Sequence, residues 1–581
     1  MWFLKNLARF HKEREAITTL HSEVDWLLLA DWKLDNDTTL CLVADIEVLG
    51  RYHSLIMLYP TNYPASPPTV RPREENQHLS THQYRSGELC LEWGPDTWHE
   101  DITGADMLIS AHKLLEIESQ TEEDSRLIEA PSRHLLTLGQ ELRTNCLRFI
   151  ADAPLISYTQ SLPGKKSGTV QFNVMLSRKS VVAFIASFSP INGEKWYHPT
   201  LISELEKTTS QIEGHFFKTT LEAEVLKSQP LESPFDVLEA QNHDVSQLKS
   251  SSTCLALIID VSEGLHLFLT SNEKEWSRFA QIDTNSKEEA PRLLPEFINL
   301  STKTVGIVGL GSAGSKIAIS LARTGVRNFL LVDDDVFLQE NICRHELNWA
   351  DVGQHKIDGI AHQLKLIAQD ISVKCSPVKL SGQEATATVD SVLSQLGACD
   401  LIIDATADPC TLNQLSTVAN QQLKPIVWLK IYAGGIGGMI ARFCPNEDPD
   451  PQITRAAFHK YLEKLELPEI QETVDYTTVN NDGETIVASD ADVTLIAANV
   501  TRMALDILIK REPSDFPYSL YLIGLSRGWI FDQPFHTIPI NLPEVQPAVT
   551  ESELPDDKVN ENRDFIEQLI LKQKNENSST D

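Results

Sequence analysis

The sequence predicts a multidomain α/β protein, on three observations. Its 581 residues exceed what one hydrophobic core organises, and 41% of them are hydrophobic, enough for several packed cores. From Lys303 onward, strand-length apolar runs alternate with helical spacings, the pattern of a doubly wound parallel sheet. The first of those strands runs into the turn Gly309-Leu310-Gly311-Ser312-Ala313-Gly314, which opens a helix.

Taken in order, MWFLKNLARFHKERE is expected to be an amphipathic first helix that packs Trp2, Phe3, Leu4, Leu7 and Phe10 on its own domain. Lys5 and Arg9 interrupt it, and no small-residue cleavage site succeeds it, so it does not read as a signal peptide. Residues 25–60 form a meander of strands, WLLLADWKL, TTLCLVADIEV and YHSLIMLYP, with polar turns at Asp35–Asp37 and Gly50–Arg51. A proline-rich loop (59–72) and an irregular stretch lead to Cys90. Helical spacing returns at 103–118, with Met107, Leu108, Ala111, Leu114, Leu115 and Ile117 on one face, and a further helix at 133–150 closes a first domain, 1–150. Residues 151–300 read as an α/β linking domain without visible chemistry. Its strands are SGTVQFNV, SVVAFIASF, TCLALIIDV and LHLFLT, around a polar helical stretch near 200–228. The alternating region is a third domain, 301–542, and 543–581 is an acidic, partly disordered tail with one helix at 558–574.

Composition narrows the partners. With 50 Lys+Arg against 82 Asp+Glu the net charge is −32, which excludes nucleic acid or an anionic membrane as a bulk partner. Apolar runs such as Thr304–Leu310 fall well short of the roughly 18 residues a membrane span needs. Nine cysteines with no CxxC fit neither a disulfide framework nor a zinc ribbon, so a cytoplasmic location is expected.

The glycine turn between strand and helix suits close approach of backbone N–H groups to phosphate. Nineteen residues after Gly314 the next strand ends in Asp333-Asp334-Asp335, where an acid can hold ribose hydroxyls. Alone this would suggest a dinucleotide. The residues beyond point elsewhere: Asn341, Arg344 and Lys356, then a strand LIIDATAD with Asp404 and Asp408. A dehydrogenase has no use for these cations and the extra acid, whereas an adenylating enzyme uses cations against phosphate charge and an Asp for magnesium. In this order the features resemble the ThiF/MoeB/ubiquitin-activating (E1) adenylation family over about 302–445. The resemblance implies that Gly309, Gly311 and Gly314 cradle ATP and that Asp333, with Asp335 beside it, binds the ribose. It implies phosphate contacts from Asn341, Arg344 and Lys356, and Mg2+ on Asp408. Catalytic roles fall to Arg344, Lys356 and Asp408.

That family activates the C-terminus of a small ubiquitin-like protein, which directs attention back to the first domain. There YPTNYPASPPTVRP precedes His82-Gln83-Tyr84, Cys90 lies eight residues after His82, and Trp98 eight after Cys90. This spacing resembles the ubiquitin-conjugating (E2) fold and implies that Cys90 is a thioester-forming catalytic nucleophile. The family's His-Pro-Asn has become His82-Gln83-Tyr84, so the oxyanion-supporting amide is missing; the Tyr84 hydroxyl or a backbone N–H is the expected substitute. An acid among Glu122, Glu123 and Asp124 stands where the family places one that assists the incoming amine.

Full activating enzymes carry a further cysteine beyond the adenylation core. Here only Cys410 and Cys444 lie beyond Asp408, and the expected crossover loop, 466–491, has none. Direct transfer from the acyl-adenylate to Cys90 is therefore expected; Thr477, Thr478 or Ser489 would be poorer carriers, because a hydroxyl needs a base. The order of domains resembles bacterial E2–E1 fusion proteins of CBASS and related antiphage operons. It implies ATP and Mg2+ as cofactors, a small protein with a free C-terminal carboxylate as substrate and a target lysine as acceptor. A homodimer is also implied, with Arg278 or Arg292 a candidate for reaching across it. The rival readings are a sulfur-carrier protein adenylyltransferase, with no role for Cys90, and a non-catalytic scaffold.

Overall fold

Four strands, Leu27–Asp35, Thr39–Val48, Arg51–Leu58 and Thr69–Pro72, pair in sequence as an antiparallel meander. Period-two alternation in the second strand sends Leu40, Leu42, Ala44, Ile46 and Val48 to one buried face. Two helices, Leu7–Glu23 and Gly104–Glu123, complete the core, the latter through Met107, Leu108, Ala111 and Leu115 at three- and four-residue spacings. The computed structural model describes the chain apart from residues 36–38, 75–76, 81, 85, 124–136, 144, 228–233, 247, 249–253, 271–275, 285–292, 466–476, 480–484, 544–555 and 578–581. It divides into two units, Met1–Thr144 and Asn145–Asp581.

The first helix departs from its expected face. It breaks at Asn6, whose side chain caps the backbone N–H of Arg9, so Trp2 and Phe3 are buried while Leu4 and Leu7 are exposed. Arg9 and Glu13 turn inward instead. The Glu13 carboxylate accepts from Tyr59 Oη at 2.9 Å, from Tyr63 Oη and from the Gly104 N–H at 2.8 Å, and pairs with Arg9 at 2.9 Å. A buried charge survives only when so completely partnered, and no hydrophobic periodicity announces it.

Two further expectations are corrected. Of the helix expected over 133–150, the described residues show one short turn, Leu138–Glu141, and then a strand, Leu147–Ala151. That strand runs parallel to Val181–Ala183 and to Ala280–Asp283, partners remote in sequence. Likewise the stretch near 200–228 contains a strand, Ser210–Lys218, between short helices at Ser203–Thr208 and Ala223–Lys227. Both strands belong to the first sheet of the second unit. Its order is Trp276–Arg278, Leu265–Thr270, Cys254–Ile259, Ser210–Lys218, Ser167–Leu176, Val181–Pro190, Leu147–Ala151, Ala280–Asp283.

The second sheet of this unit is Rossmann-like, as the sequence predicts. Five parallel strands run in the order Ser372–Ser376, Asn328–Val332, Thr304–Val308, Leu401–Asp404, Ile426–Tyr432. Gly437–Phe443, Leu520–Gly524 and Thr537–Pro539 extend it antiparallel. One face packs on helices Ser312–Thr324, Lys356–Ile367 and Asp490–Ile509. The other packs on Thr386–Ala398, Pro409–Gln422 and Pro451–Lys464. Chain order reverses at Thr304–Val308, and a crevice opens at the carboxyl ends of strands at such a switch point. The tail carries a helix, Asp556–Asn577. No helix among the described residues is long and apolar enough to cross a membrane.

Candidate functional site

Each glycine of the turn after Thr304–Val308 has its own reason to be there. Gly309 has φ +86°, a conformation that L side chains rarely adopt, and it lies against Ala405 and Thr406. Gly314, in the first turn of the helix Ser312–Thr324, faces the carbonyl of Gly309, and a Cβ there would stand 1.9 Å from that oxygen. Gly311, at the helix N-cap, has nothing among the described residues within 4 Å of where its Cβ would be. Protein packing thus demands two of the glycines, and the third leaves open space at a helix N-terminus, where an anion is favoured.

Asp333, at the end of the neighbouring strand, braces the turn: its carboxylate accepts from the Leu310 N–H at 2.6 Å and from the Asp335 N–H at 2.8 Å. Burial raises its pKa, against the pull of those two amides. Lys356 begins the helix Lys356–Ile367, is buried, and pairs with Asp335 at 2.7 Å. Asn341 Oδ1 takes the Leu338 N–H at 2.9 Å and shapes the loop that carries Arg344. Arg344 donates to the Ala488 carbonyl at 3.3 Å.

Sequence reasoning passed over two residues here, His345 and Lys316. His345 is buried; Nδ1 accepts the Leu347 N–H at 3.1 Å, so Nε2–H donates to the Leu310 carbonyl at 2.7 Å. It bolts the Arg344 loop to the glycine turn as a neutral ring, and burial lowers its pKa from 6.5 to about 4. Between those values the unfolded chain binds a proton that the folded one refuses, so stability falls as pH falls through that window. The expected loss is about 3 kcal/mol. Urea midpoints measured at pH 7 and pH 4.5 for the protein and for His345→Gln check this; equal pH slopes in the two would refute it.

Asp408 sits across the turn, beyond the strand Leu401–Asp404, as N-cap of the helix Pro409–Gln422. It accepts from Cys410 N–H at 3.3 Å, Thr411 N–H at 2.9 Å and Thr411 Oγ1 at 2.7 Å. Burial works to raise its pKa, but these bonds and one from Ser381 outweigh it and hold the carboxyl below its usual value. Asp404 is buried, bonds Thr406 through Oδ1, and is pushed up to about 6, chiefly by desolvation. The two acids line one cavity of about 380 Å³, walled by Trp428, Tyr432, Phe458 and Trp529. Adjacent carboxylates, one held ionised, are the donor chemistry Mg2+ takes, so these residues fit the ion.

Within the first unit, Cys90 lies on a short antiparallel bridge, Gln83↔Leu89. The Cys90 N–H donates to His82 O at 2.8 Å, and the Tyr84 N–H to Glu88 O at 2.8 Å. Alternation therefore sets Tyr84 and Cys90 diagonally on one face, and the Tyr84 hydroxyl hydrogen-bonds the sulfur. Burial raises the Cys90 pKa, the Tyr84 bond draws it back and the charge of Glu88 raises it again, for a net rise. Tyr84 itself is pushed up to about 12, first by burial, and stays a donor. Gln83 cannot stand in for the missing amide: it accepts from Leu79 N–H at 2.8 Å and donates to Gln77 O at 3.0 Å and Gly87 O at 2.9 Å. Trp98 Nε1 donates to Pro64 O in the proline-rich loop at 2.6 Å.

The other candidates are distributed across both units. Asp124 and Arg292 lie outside the described residues, as do the side chains of Glu122, Glu123, Thr477 and Thr478. Arg278 is turned onto His266 Nδ1 at 3.1 Å within its own chain. Ser489 caps the helix Asp490–Ile509 and bonds Asp492 at 2.7 Å. Cys410 is exposed; Cys444 is half-buried, and burial together with Asp448 pushes its thiol up to about 12.

A model of the ThiF family matches residues 295–498, which span the glycine turn, Asn341, Arg344, Lys356 and Asp408. The ATP-dependent ubiquitin transferase-like protein Cap2 of Pseudomonas aeruginosa is 32% identical over 123 residues, 20% of this chain and 21% of that protein. Cap2 of Escherichia coli is 26% identical over 213 residues, 36% of this chain and 35% of that one. The adenylyltransferase and sulfurtransferase UBA4 of Debaryomyces hansenii is 22% identical over 197 residues, 32% of this chain and 41% of that one. The chain thus matches well under half the length of each of these curated relatives. Among solved structures, E. coli MccB with ATP shares 18% identity across 43% of this chain and 67% of that one, at a TM-score of 0.33.

Proposed function

We propose that this protein uses ATP to adenylate the C-terminal carboxylate of a ubiquitin-like or other small protein, passes the acyl group to Cys90 as a thioester, and conjugates it to a target lysine. Antiphage defence is the setting of the fusion proteins it resembles. The observation that carries the reading is the gathering of the glycine turn, Arg344, Lys356 and Asp408 around the carboxyl ends of the parallel strands. Three parts divide the work: a conjugating domain, expected at 1–150 but ending at Thr144 because Leu147–Ala151 is a strand of the second unit, a linking domain (to 300) and an adenylation domain (301–542), with the tail after them.

In the first step a carboxylate oxygen of the small protein attacks the α-phosphorus of ATP and pyrophosphate leaves. Backbone N–H groups of the glycine turn hold the phosphates, while Arg344 and Lys356 meet the charge that grows on them. Lys356 is paired with the exposed carboxylate of Asp335, a partner for which a triphosphate can compete, and Arg344 donates to the Ala488 carbonyl. Asp408 and Asp404 would hold Mg2+, which when bound neutralises phosphate charge. In the second step the Cys90 thiolate attacks the acyl carbonyl and AMP leaves. An acceptor amine then attacks the thioester, releasing the Cys90 thiolate, and the bond formed is an amide. The Tyr84 hydroxyl, which hydrogen-bonds the sulfur, or a backbone N–H would support the oxyanion.

Pyrophosphate exchange tests the reading. With the chain, ATP, Mg2+ and labelled pyrophosphate, a small protein encoded beside it is expected to stimulate exchange and to yield a thiol-sensitive adduct. Absence of exchange with every such protein supports a non-catalytic scaffold. The similarity to UBA4 favours a second reading, activation of a sulfur carrier, which predicts exchange with no adduct on Cys90.

A further inference from the structure

Lys316 is a buried ammonium on the inner turn of the glycine-turn helix, only 9% exposed. It is tolerated there because two acids meet it: Asp490 at 2.8 Å and Glu346 at 3.3 Å. Glu346 stands two residues after Arg344, and Asp490 two after Ala488, whose carbonyl holds Arg344. His345, between Arg344 and Glu346, is bolted to Leu310 of the glycine turn. Two segments that carry the proposed nucleotide contacts, and the segment that holds Arg344, therefore converge on one cation.

We propose that Lys316 is a positioning residue of the nucleotide site that acts through Glu346 and Asp490, screening both carboxylates from the triphosphate. The proposal rests on the nucleotide reading above. A plain structural ion pair would serve the fold whatever its charge did to a ligand. Here the balance is one cation against two acids, so its loss leaves two carboxylates beside an anion-binding turn, a repulsion that acts through space and weakens with salt.

The test is binding of the non-hydrolysable analogue AMP-PNP with Mg2+ to the full chain, by calorimetry at 50 and 500 mM NaCl. Lys316→Met is expected to raise Kd about tenfold at low salt and distinctly less at high salt. The triple variant that also carries Glu346→Gln and Asp490→Asn is expected to return within about threefold of the unaltered protein, and Lys316→Arg to keep most of the affinity. The variants Glu346→Gln and Asp490→Asn, which retain the lysine, are expected to bind as well or more tightly; they decide the matter if Lys316→Met does not fold. Unchanged affinity in Lys316→Met, a loss that salt and the paired neutralisations do not relieve, or weaker binding in either acid variant overturns the proposal. No binding by the unaltered protein sinks the nucleotide reading itself, a result distinct from all of these.

Discussion

Gly314→Ala is expected to abolish pyrophosphate exchange, by at least about 100-fold, and to lower the melting temperature of the second unit, whereas Gly311→Ala is expected to leave the melt unchanged and lose nucleotide binding alone. The contrast arises from what each methyl would meet. At Gly314 it would lie 1.9 Å from the Gly309 carbonyl and 3.3 Å from Ala405 Cβ, both rigidly held, so the helix must retreat from the turn. Overpacking of this kind costs about 1–3 kcal/mol or more, and it moves the N-terminal N–H groups that phosphate would need. At Gly311 the backbone is extended, open to any residue, and among the described residues no packed neighbour stands within 4 Å of the added Cβ. A methyl there fills only the space an anion would use, and a roughly 10- to 100-fold rise in Kd for ATP results from the lost approach, about 1.4 kcal/mol per decade. Thermal melts and AMP-PNP titrations of both variants check the pair. Normal nucleotide affinity in Gly311→Ala would mean that the triphosphate lies elsewhere.

Cys90→Ser is expected to retain exchange and to lose the thioester and the conjugate, by a factor of about 1000 or more. A serine hydroxyl at neutral pH is a far weaker nucleophile than a thiol, and any acyl group it does accept leaves as a slower oxyester. The alternatives on the activating domain are constrained. Cys444 is held protonated, with its pKa pushed up to about 12, and Ser489 is committed to a helix cap. Cys410 is exposed at the start of the helix capped by Asp408, so Cys410→Ala belongs in the experiment. Mass spectrometry of the adduct after brief incubation with ATP and the small protein reads the outcome. A thioester that persists in Cys90→Ser and disappears with Cys410→Ala or Cys444→Ala would defeat direct transfer.

The doubly wound sheet was legible because its strands and helices alternate in local periodicity, and the glycine turn because only glycine suits Gly309 and Gly314. Asp333, Asp335, Arg344, Lys356 and Asp408 were singled out by their order along the chain, and the structure sets Asp333 against the glycine turn and Lys356 against Asp335. The features that escaped share a different property: their cause lies in a partner distant along the chain. Leu147–Ala151 is a strand because Val181–Ala183 and Ala280–Asp283 flank it. Ser210–Lys218 pairs with Ser167–Val174 and with Ala256–Ile259. Glu13 is buried because two tyrosines, an arginine and the start of a helix converge on it. Lys316 and His345 obey the same rule. Each is an ordinary polar letter in a helix or loop until Asp490, Glu346 and Leu310 are brought to it.

The bridge Gln83↔Leu89 gives the thiol a dependence on parity. Cys90 shares its side of the bridge with Glu88, two positions before it on alternating backbone, and with Tyr84, which faces Glu88 across the bridge. One residue added or removed between Glu88 and Cys90 would carry the sulfur to the side of Leu89, whose side chain is buried in the core. Substitution at Tyr84 changes the donor; a change of length there removes the nucleophile from solvent. The exposure of the sulfur is thus tied to the length of this loop as well as to its residues.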